Sequence, residues 1–171
     1  YNDIFQGASS NNQNRLHLGF HYPRSKITRH QSKIGFKKFL KKYPSFCFKI
    51  KNNIYAVAKD TESKIDFETF CQIMRAENLN FRIINAKKFK ISSVSGAIKT
   101  NEMVINEQIA KNFFFKKLKN YISFNTEVKK ISRVGKKYKI NNEYYDYVVN
   151  CTYFQKFIPK SYQINFEVTS S

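Results

Sequence analysis

Residues 7–25 read GASSNNQNRLHLGFHYPRS, and this segment carries the most specific pattern in the chain. It combines small residues, side-chain amides, histidines and arginines without a sustained helical or strand period. The pattern therefore predicts a loop that contains one short strand within residues 15–22. Small residues let a backbone approach a flat or charged ligand, and Ser, Asn and Gln then supply hydrogen bonds. A long polar loop inside a compact domain is usually functional or disordered, and the aromatic and histidine content here favours function.

The composition is that of a globular chain with a basic surface. Hydrophobic residues make up 42% of the 171 residues, and no apolar run approaches the length of a membrane span. Lys and Arg number 31 against 12 Asp and Glu, which gives a formal net charge of +19. Such a charge is also found in nucleic-acid-binding α+β modules, which are the alternative function. Because the lysines recur in pairs along the whole chain, a solvated basic surface without a nucleic-acid partner is the preferred interpretation.

The cysteines and histidines do not have the spacing of a metal site. Cys47, Cys71 and Cys151 form no Cys-x-x-Cys pair, and their apolar neighbours predict buried free thiols in a reducing compartment, the cytoplasm. His17 and His21 would share one face of a helix, but Gly19 and Pro23 argue against a helix there. We therefore expect no disulfide framework and no bound metal.

Three segments have the periodicity of amphipathic helices. We expect helices over residues 28–43, over 67–77 and over 107–119, with Thr28, Asp66 and Asn106 as their N-caps. The residues expected to face inward are Phe36, Phe39, Leu40 and Tyr43 in the first helix, Phe67, Phe70, Cys71 and Met74 in the second, and Ile109, Ala110, Phe113, Phe114 and Leu118 in the third.

Strand patterns lie between and after these helices. Residues 46–50 and 54–58 are predicted to form a hairpin through the turn at 51–53, with Phe46, Phe48 and Ile50 on one face, and residues 81–84 a further strand. A meander is predicted over residues 122–125, 128–132, 138–141 and 145–150, with turns at Gly135 and Asn141. A last strand is predicted over residues 163–168. The fold class is therefore α/β, or more narrowly α+β.

The string Gly-Ala-Ser-Ser-x-Asn-x-x-x-Leu-His-x-Gly-x-x-Tyr-Pro at residues 7–23 resembles a segment of the D-amino-acid-oxidase-like family of FAD-dependent oxidoreductases. The nearest branch is that of the L-2-hydroxyglutarate oxidases. In this family the segment passes the flavin, and the strand after it enters the substrate domain. The strings GAIKTNEMVIN at 96–106 and YDYVVNCT at 145–152 also resemble the family, with Ala97, Cys151 and Tyr153 as departures from its usual residues.

The resemblance implies a fold, a cofactor and a reaction. It implies part of a Rossmann-like FAD-binding domain, residues 1–30 and 96–171, and part of an antiparallel-sheet substrate domain, residues 31–95. It also implies FAD as cofactor and hydride transfer from a small amine, 2-hydroxy acid or related alcohol. The 171 residues contain no Gly-x-Gly-x-x-Gly phosphate loop. We therefore expect a βαβ unit before Tyr1 in a longer protein, a cut after Ser171 as well, and no activity for this chain alone.

The resemblance also implies roles for individual residues. His17, at the family's His-x-Gly position, and His21 are the catalytic candidates, because histidine can take up a proton near neutral pH. Tyr22, Arg24 and Tyr55 are the substrate-binding candidates. Arg24 could bind a carboxylate or be satisfied at a domain edge, and Tyr55 is more simply a packed sheet tyrosine. The residues implied to bind FAD are Ser9, Ser10, Asn12, Gln13, Arg15, Gly19, Val128, Cys151 and Thr152.

Overall fold

Helices and antiparallel strands alternate along the chain, which confirms the mixed α/β class. The computed structural model describes residues 1–152. These divide into two compact units, Tyr1–Ile122 and a second unit that begins at Ser123. The helices and strands are β1 Arg15–Leu16, α1 Lys26–Lys42, β2 Cys47–Lys49, β3 Asn53–Ala58, α2 Phe67–Ala76, β4 Phe81–Ile84, β5 Val94–Thr100, β6 Met103–Ile105, α3 Glu107–Leu118, β7 Ile131–Val134, β8 Lys137–Ile140 and β9 Glu143–Tyr145. The strand predicted over residues 163–168 and the end of the domain portion 96–171 lie outside the described residues.

Two three-stranded antiparallel sheets form the first unit. One has the strand order β1-β6-β2 and the other β3-β5-β4. Strand β5 belongs to the second sheet and β6 to the first, so the two residues between them, Asn101 and Glu102, link the sheets. Every strand pair within residues 1–152 is antiparallel. The Rossmann-like portion and the division into residues 1–30 with 96–171 and residues 31–95 stay predictions.

The predicted hairpin over residues 46–58 is wrong. Strand β2 pairs with β6 and strand β3 with β5, so the two strands lie in different sheets. Phe46 ends a short 3-10 helix and is buried, while Phe48 and Ile50 are exposed rather than sharing its face. Two apolar runs around an Asn pair are a local hairpin signal, but β5 and β6 offer both runs longer-range partners that the local pattern does not reveal.

The helices begin at side-chain caps, two of which were predicted. The Asp66 carboxylate accepts a hydrogen bond from Thr69 N at 2.8 Å, and the Asn106 side chain accepts one from Ile109 N at 3.0 Å. The cap of α1 is Ser25 rather than Thr28, because the Ser25 hydroxyl accepts from Thr28 N and the helix starts at Lys26. Such a cap satisfies one of the N–H groups that the first helical turn leaves unpaired.

The predicted inward faces differ in how well they are buried. In α2 the residues Phe70, Cys71 and Met74 are buried, as expected, and Phe67 is half-buried. The inward residues of α1 are all half-buried. The face predicted for α3 is wrong for Ile109, Phe113 and Leu118, which are exposed, since only Ala110 there is buried. Within the described residues α3 is covered chiefly at the 3-10 helix Pro44–Phe46, where Phe113 and Phe114 contact Phe46 edge-on.

The core of the first unit joins α2 to strand β5. It is formed by Phe20, Phe70, Cys71, Met74, Leu79 and Ile98. Gly96 on β5 allows the close contact with α2, because a Cβ at this position would lie 2.3 Å from Cδ1 of Phe67. The helix and the sheet are therefore held together by apolar burial at a spacing that only glycine permits at residue 96.

The second unit is a smaller meander than predicted. Strands β7, β8 and β9 pair in sequence, with Gly135 and Asn141 at the turns in the left-handed conformation (φ +60° and +51°), which confirms both turns. Residues 122–125 and 128–130 form no strand, and residues 146–150 do not extend β9. Residues typical of strands occur in these segments, but no neighbouring strand within the described residues pairs with them. A strand needs such a partner because its backbone N–H and C=O groups must be hydrogen-bonded.

The described residues contain three free cysteines. Cys71 is buried as expected, Cys47 is half-buried, and Cys151 is exposed, so the prediction of a buried thiol is wrong at Cys151. No group of three or more His, Cys, Asp or Glu side chains that could hold a metal occurs between residues 1 and 152. Over the same residues, no helix has the length and apolar character that crossing a membrane requires.

Candidate functional site

A buried carboxylate, Glu102, lies at the link between the two sheets of the first unit. Its residue is 1% exposed, and its two oxygens accept hydrogen bonds of 2.5 Å from Leu18 N and from the Tyr55 hydroxyl. Arg15 Nη2 and His17 Nδ1 lie 3.5 and 3.4 Å from the same Oε2 atom. A carboxylate with this many donors is satisfied as an ion even without water. We call Glu102, Arg15, His17, Tyr55 and Asn53 the Glu102 cluster.

Strand register brings the cluster together. Strand β1 pairs with β6 as Arg15 opposite Val104 and Leu16 opposite Met103, so the residues after Leu16 run beside the link at Glu102. Strand β3 pairs with β5, with Tyr55 opposite Ile98, so the following link lies at the end of that pair. The link passes from one sheet to the other, so the Glu102 side chain meets Arg15 from strand β1 and Tyr55 from strand β3.

The hydrogen bonds decide the charge of Glu102. Burial acts to raise its pKa, but the hydrogen bonds from His17, Tyr55 and Leu18 N outweigh burial and lower the pKa below its usual range. The carboxyl group is therefore ionised near neutral pH. Burial is also the main cause that raises the pKa of Tyr55, and the neighbouring Glu102 carboxylate raises it further. Tyr55 is thus a neutral phenol that donates its one hydrogen to Glu102.

Arg15 joins this carboxylate to the end of the second sheet. Its guanidinium donates to the Asn53 side-chain oxygen and lies 4.7 Å from the centre of the Tyr55 ring. Three buried polar atoms nearby have no hydrogen-bond partner in the described part of the chain: Arg15 Nε, Asn53 Nδ2 and Thr100 Oγ1. Buried groups of this kind are normally satisfied by water or a ligand, so they mark this place as one where a polar group can bind.

The two predicted catalytic histidines lie together: His17 belongs to the Glu102 cluster, and His21 packs against it. The rings of His17 and His21 stack with centroids 5.5 Å apart, and Tyr22 contacts both rings edge-on. His17 Nδ1 lies 3.1 Å from the Tyr55 hydroxyl oxygen. With Arg15, which lies over the Tyr55 ring, the structure therefore brings together five predicted site residues: Arg15, His17, His21, Tyr22 and Tyr55.

Arg24 is the predicted substrate residue that is not part of this group. Its side chain is exposed, and within residues 1–152 no contact joins it to the Glu102 cluster. Its assigned role in binding a substrate carboxylate stays a prediction.

Helix α1 holds the loop that carries the histidines. Gly19 has a φ of +117°, and a Cβ there would lie 3.2 Å from the Arg29 backbone. Arg29 Nη1 donates to the carbonyls of Tyr22 and Pro23 at 3.1 and 2.6 Å, and Nη2 donates to the Glu77 carboxylate at 3.1 Å. The close approach explains the glycine, and the buried Arg29 side chain fixes the turn after His21. The cofactor role of Gly19 stays a prediction.

Part of the implied FAD-binding set lines one cavity, which we call the loop cavity. Its volume is about 270 Å³, and Ser9, Asn12 and Arg15 lie on its wall. The remaining lining residues are Phe5, Asn14, Phe39, Phe46, Ile105, Glu107, Ala110 and Phe114. Ser10 and Gln13 are exposed and outside this lining. The polar loop closes on itself, since Ser10 Oγ and Asn12 Nδ2 donate to carbonyls of Gly7 and Ala8 at 3.1 and 2.8 Å.

A second cavity has Tyr55 in its wall. This His21 cavity has a volume of about 250 Å³, and its polar side chains are His21, Tyr55 and Ser63. The remaining lining residues are Phe20, Pro23, Ala56, Val57, Ala58, Ile65 and Phe70. Since Arg15 lines the loop cavity and lies over the Tyr55 ring, the Glu102 cluster connects the two cavities.

Three residues implied to bind FAD belong to the second unit. Val128 is half-buried but lies outside any strand, unlike its predicted position on one. Cys151 and Thr152 are exposed, and the Thr152 backbone N–H donates to the Asn150 side chain at 3.0 Å. Their assigned roles stay predictions.

Sequence reasoning missed the residues that hold the site. Glu102 was noted only within the string at residues 96–106, Asn53 was placed in the turn of the predicted hairpin, and Arg29 and Glu77 were given no role. One signal for Glu102 was present: it is the only acidic residue between Glu77 and Glu107, and it directly follows an apolar strand pattern in a strongly basic chain. Such an isolated acid at a strand end is a reason to look for buried donors.

Comparison with known proteins places the chain beside flavin enzymes. It is 33% identical over 150 residues to the FAD-dependent monooxygenase FPY4 of Fusarium mangiferae, covering 88% of this chain and 40% of that relative. It is 30% identical over 172 aligned residues to the FAD-dependent monooxygenase kojA of Aspergillus flavus and to the probable FAD-dependent monooxygenase kojA of Aspergillus oryzae, covering 93% of this chain and 40% of each relative.

The similarity reaches most of this chain but less than half of each relative. The chain spans about 40% of the length of the curated relatives it matches. No protein-family model matches the chain. No solved structure matches it. The relatives do not bear on the narrower D-amino-acid-oxidase-like resemblance, which stays a prediction. Nearly the whole of this chain is thus similar to a segment of FAD-dependent monooxygenases, and this supports a flavin-dependent oxidoreductase family.

Proposed function

We propose that this chain is part of an FAD-dependent oxidoreductase that acts on a small molecule. The observation that carries the proposal is the similarity over 88–93% of the chain to relatives that are each named FAD-dependent monooxygenases. The family that the sequence resembles, the D-amino-acid-oxidase-like oxidoreductases, is also FAD-dependent.

The free thiols of Cys47, Cys71 and Cys151 favour a reducing location, and we propose the cytoplasm.

The loop cavity fits part of FAD. Its volume of about 270 Å³ is smaller than the cavity a complete drug-sized ligand needs, about 300 Å³ or more, so it suits one ring system of the dinucleotide. Ser9 and Asn12 offer polar groups at its wall, and Phe39 and Phe46 offer apolar surface for a flat ring. Arg15 Nε is a buried donor without a partner in the described residues. The other residues that would hold FAD on the resemblance are Ser10, Gln13, Gly19, Val128, Cys151 and Thr152.

His17 is the residue we propose for handling the substrate proton. FAD, when bound, supplies the acceptor for the hydride that leaves the substrate carbon. The substrate we propose is a small amine, a 2-hydroxy acid or a related alcohol, whose heteroatom must lose a proton in such an oxidation. His17 is the group we propose to accept that proton, with His21 stacked beside it and the Glu102 carboxylate 3.4 Å from its Nδ1 atom. Tyr22, Tyr55 and Arg24 are the proposed substrate contacts.

Monooxygenation is the second candidate reaction, and the names of the relatives favour it. In that reaction one atom of dioxygen enters the product and the other leaves as water, with two electrons from a reductant such as a reduced nicotinamide cofactor, whereas simple oxidation adds no oxygen from dioxygen. The two reactions are distinguished by running turnover under ¹⁸O₂ and measuring the product mass. Incorporation of one ¹⁸O atom supports monooxygenation, and an oxidised product without the label supports hydride removal alone.

Flavin content is the first test of the proposal. The full-length protein that carries this chain is purified, and its absorption is recorded near the oxidised-flavin band at about 450 nm. We expect a flavin spectrum in the wild type and a lower flavin content in Arg15→Met, because Arg15 lines the loop cavity. The matched control is Arg82→Met, an exposed arginine on β4, which should keep its flavin. A folded, colourless wild type that takes up no added FAD contradicts the proposal.

A further inference from the structure

We infer that Glu102 is a positioning residue that holds His17 in the Nδ1–H tautomer, so that neutral His17 offers Nε2 as its proton acceptor. The inference deepens the proposed function and rests on it for the catalytic meaning of His17. The tautomer itself follows from contacts within the first unit and can be measured without flavin.

Both groups that face His17 Nδ1 present lone pairs to it. The Tyr55 hydroxyl has a single hydrogen, which it donates to Glu102 at 2.5 Å, so the oxygen that lies 3.1 Å from His17 Nδ1 can only accept. Glu102 Oε2 lies 3.4 Å from the same nitrogen and belongs to an ionised carboxylate, which has no hydrogen to donate. An unprotonated Nδ1 would face two acceptors at once, so Nδ1 carries the hydrogen.

The other donors around Glu102 fix the direction of these bonds. Leu18 N donates to Oε1 at 2.5 Å, and Arg15 Nη2 lies 3.5 Å from Oε2. With two N–H groups and the Tyr55 hydroxyl already directed at it, the carboxylate stays an acceptor. A proton on Oε1 would conflict with the bond from Leu18 N, and a proton on Oε2 would conflict with the approach of Arg15 and the Tyr55 hydroxyl. The tautomer of a histidine is set by the hydrogen bonds that its ring nitrogens make. Here Nδ1–H of His17 donates to Glu102 and Tyr55, which leaves Nε2 without a hydrogen.

The remaining nitrogen of His17 is free to react. Nε2 has no hydrogen-bond partner within residues 1–152, and the His17 side chain is 27% exposed. In the proposed reaction the N–H or O–H bond of the substrate breaks, its proton moves to Nε2, and its electron pair stays on the substrate heteroatom. The positive charge that this places on the imidazole lies close to the Glu102 carboxylate, which stabilises it.

A purely structural carboxylate would not need His17 in one tautomer. Leu18 N, Tyr55 and Arg15 already supply donors to the buried Glu102 carboxylate. Its stability therefore does not require a particular tautomer of His17. A change of the His17 tautomer in a folded Glu102→Gln protein, together with a lower kcat, therefore separates a positioning role from a role in stability only.

The test is a long-range ¹H–¹⁵N NMR spectrum of the full-length protein labelled with ¹⁵N in histidine, recorded above pH 8, where imidazoles are neutral. His17 is assigned by the signal lost in His17→Gln. We expect the Nδ1–H pattern in the wild type and a shift towards a mixture in Glu102→Gln, whose amide can donate to Nδ1. The control Glu68→Gln removes an exposed carboxylate in the first turn of α2, outside the Glu102 cluster, so it should keep the Nδ1–H pattern.

The wild-type spectrum keeps the inference falsifiable if Glu102→Gln does not fold. An Nε2–H pattern or an even mixture for wild-type His17 overturns it. In Tyr55→Phe the ionised Glu102 still faces Nδ1, so we expect the Nδ1–H pattern there as well, and its loss would overturn the role of Glu102.

The outcomes for tautomer and flavin are independent. A protein that shows the Nδ1–H pattern but takes up no flavin contradicts the proposed function and leaves the positioning by Glu102 standing. A flavin-loaded protein with His17 in the Nε2–H form contradicts this inference alone. Once a substrate is found, we expect Glu102→Gln to lower kcat at least tenfold with unchanged flavin content, while Glu68→Gln keeps kcat within twofold.

Discussion

The Tyr55 hydroxyl donates its one hydrogen to the Glu102 carboxylate at 2.5 Å, across 47 residues of sequence and between two sheets. The phenol thereby satisfies a charge that is 1% exposed and leaves its own oxygen to accept from His17. This bond joins strand β3 to the link between β5 and β6. It is therefore a contact through which the stability of the fold and the geometry of the candidate site depend on each other.

Removal of this hydroxyl should destabilise the protein while leaving the ring in place. In Tyr55→Phe the buried carboxylate loses a donor, and the expected loss in free energy of unfolding is about 1–3 kcal/mol. The measurement is the urea midpoint at neutral pH. Tyr147→Phe is the control, because Tyr147 is 88% exposed and its hydroxyl should contribute within about 0.5 kcal/mol. Equal midpoints for the two variants would show that the Tyr55–Glu102 bond adds nothing.

Acid should remove the contribution of Glu102 to stability. Its pKa is lowered in the folded state, so below the usual carboxyl pKa of about 4.3 the unfolded chain binds more protons than the folded one. The contribution is thus complete above that pH and is lost as the pH falls through the lower folded-state pKa. Glu102→Gln should be less stable than the wild type by about 2 kcal/mol or more at pH 7, since a buried acceptor is replaced in part by a donor.

The comparison of these two proteins over pH isolates Glu102 from other acids. Asp3 and Asp66 also have lowered pKa values, from hydrogen bonds to Lys111 and to Thr69, but both are present in each protein. Urea unfolding from pH 7 to pH 3 should show the gap between wild type and Glu102→Gln narrowing towards acid. A gap that stays constant or widens over this range would mean that Glu102 is not ionised in the folded protein.

A side chain at residue 96 should force α2 away from strand β5. In Gly96→Ala the new Cβ would meet the Phe67 ring at 2.3 Å, and overpacking of this kind costs about 1–3 kcal/mol. Gly35→Ala is the matched control, because Gly35 lies in α1 with nothing within 4 Å of an added Cβ. That control should gain about 0.5–1 kcal/mol from helix propensity. Thermal or urea unfolding measures the stability of both variants. A Gly96→Ala protein as stable as the wild type would contradict the close contact between residue 96 and the Phe67 ring.

The sequence predicted best those features that depend on neighbours along the chain. Helix α2 was predicted with its cap, Asp66, and its buried face, since both signals lie within one run of residues. The turns at Gly135 and Asn141 were predicted for the same reason. The cap of α1 was assigned to Thr28, although Ser25 holds it, because both residues have a capping side chain and only the backbone decides between them.

Features that depend on distant residues were not predicted. The hairpin over residues 46–58 failed because β2 and β3 pair with β6 and β5, about 36 to 58 residues later, and a local turn signal says nothing of such partners. Glu102 gains its role from Tyr55 and His17, which precede it by 47 and 85 residues. The grouping of His17, His21 and Tyr22 was predictable because these residues are neighbours in one loop, whereas the carboxylate behind them was not.

Arg29 provides the last test, since it ties the histidine loop to the helices. The residue is 7% exposed, and its guanidinium donates to the Tyr22 and Pro23 carbonyls and to Glu77. Arg29→Met keeps much of the volume but leaves those groups without their donor, and breaking a buried ion pair of this kind costs about 3–5 kcal/mol. Urea unfolding should show that loss. His30→Ala, at the exposed next position of α1, should stay within about 0.5 kcal/mol of the wild type.

The double variant Arg29→Met/Glu77→Met then separates the ion pair from the bonds to the turn. Removing Glu77 as well takes away the carboxylate left unpaired. The loss in free energy of unfolding of the double variant should therefore be smaller than the sum of the two single losses, by about 0.5–3 kcal/mol. The part that is not recovered reports the Tyr22 and Pro23 carbonyls, which no other side chain in residues 1–152 contacts. Strict additivity of the two single losses would show that Arg29 and Glu77 act independently, and that Arg29 stabilises the fold through the turn after His21 alone.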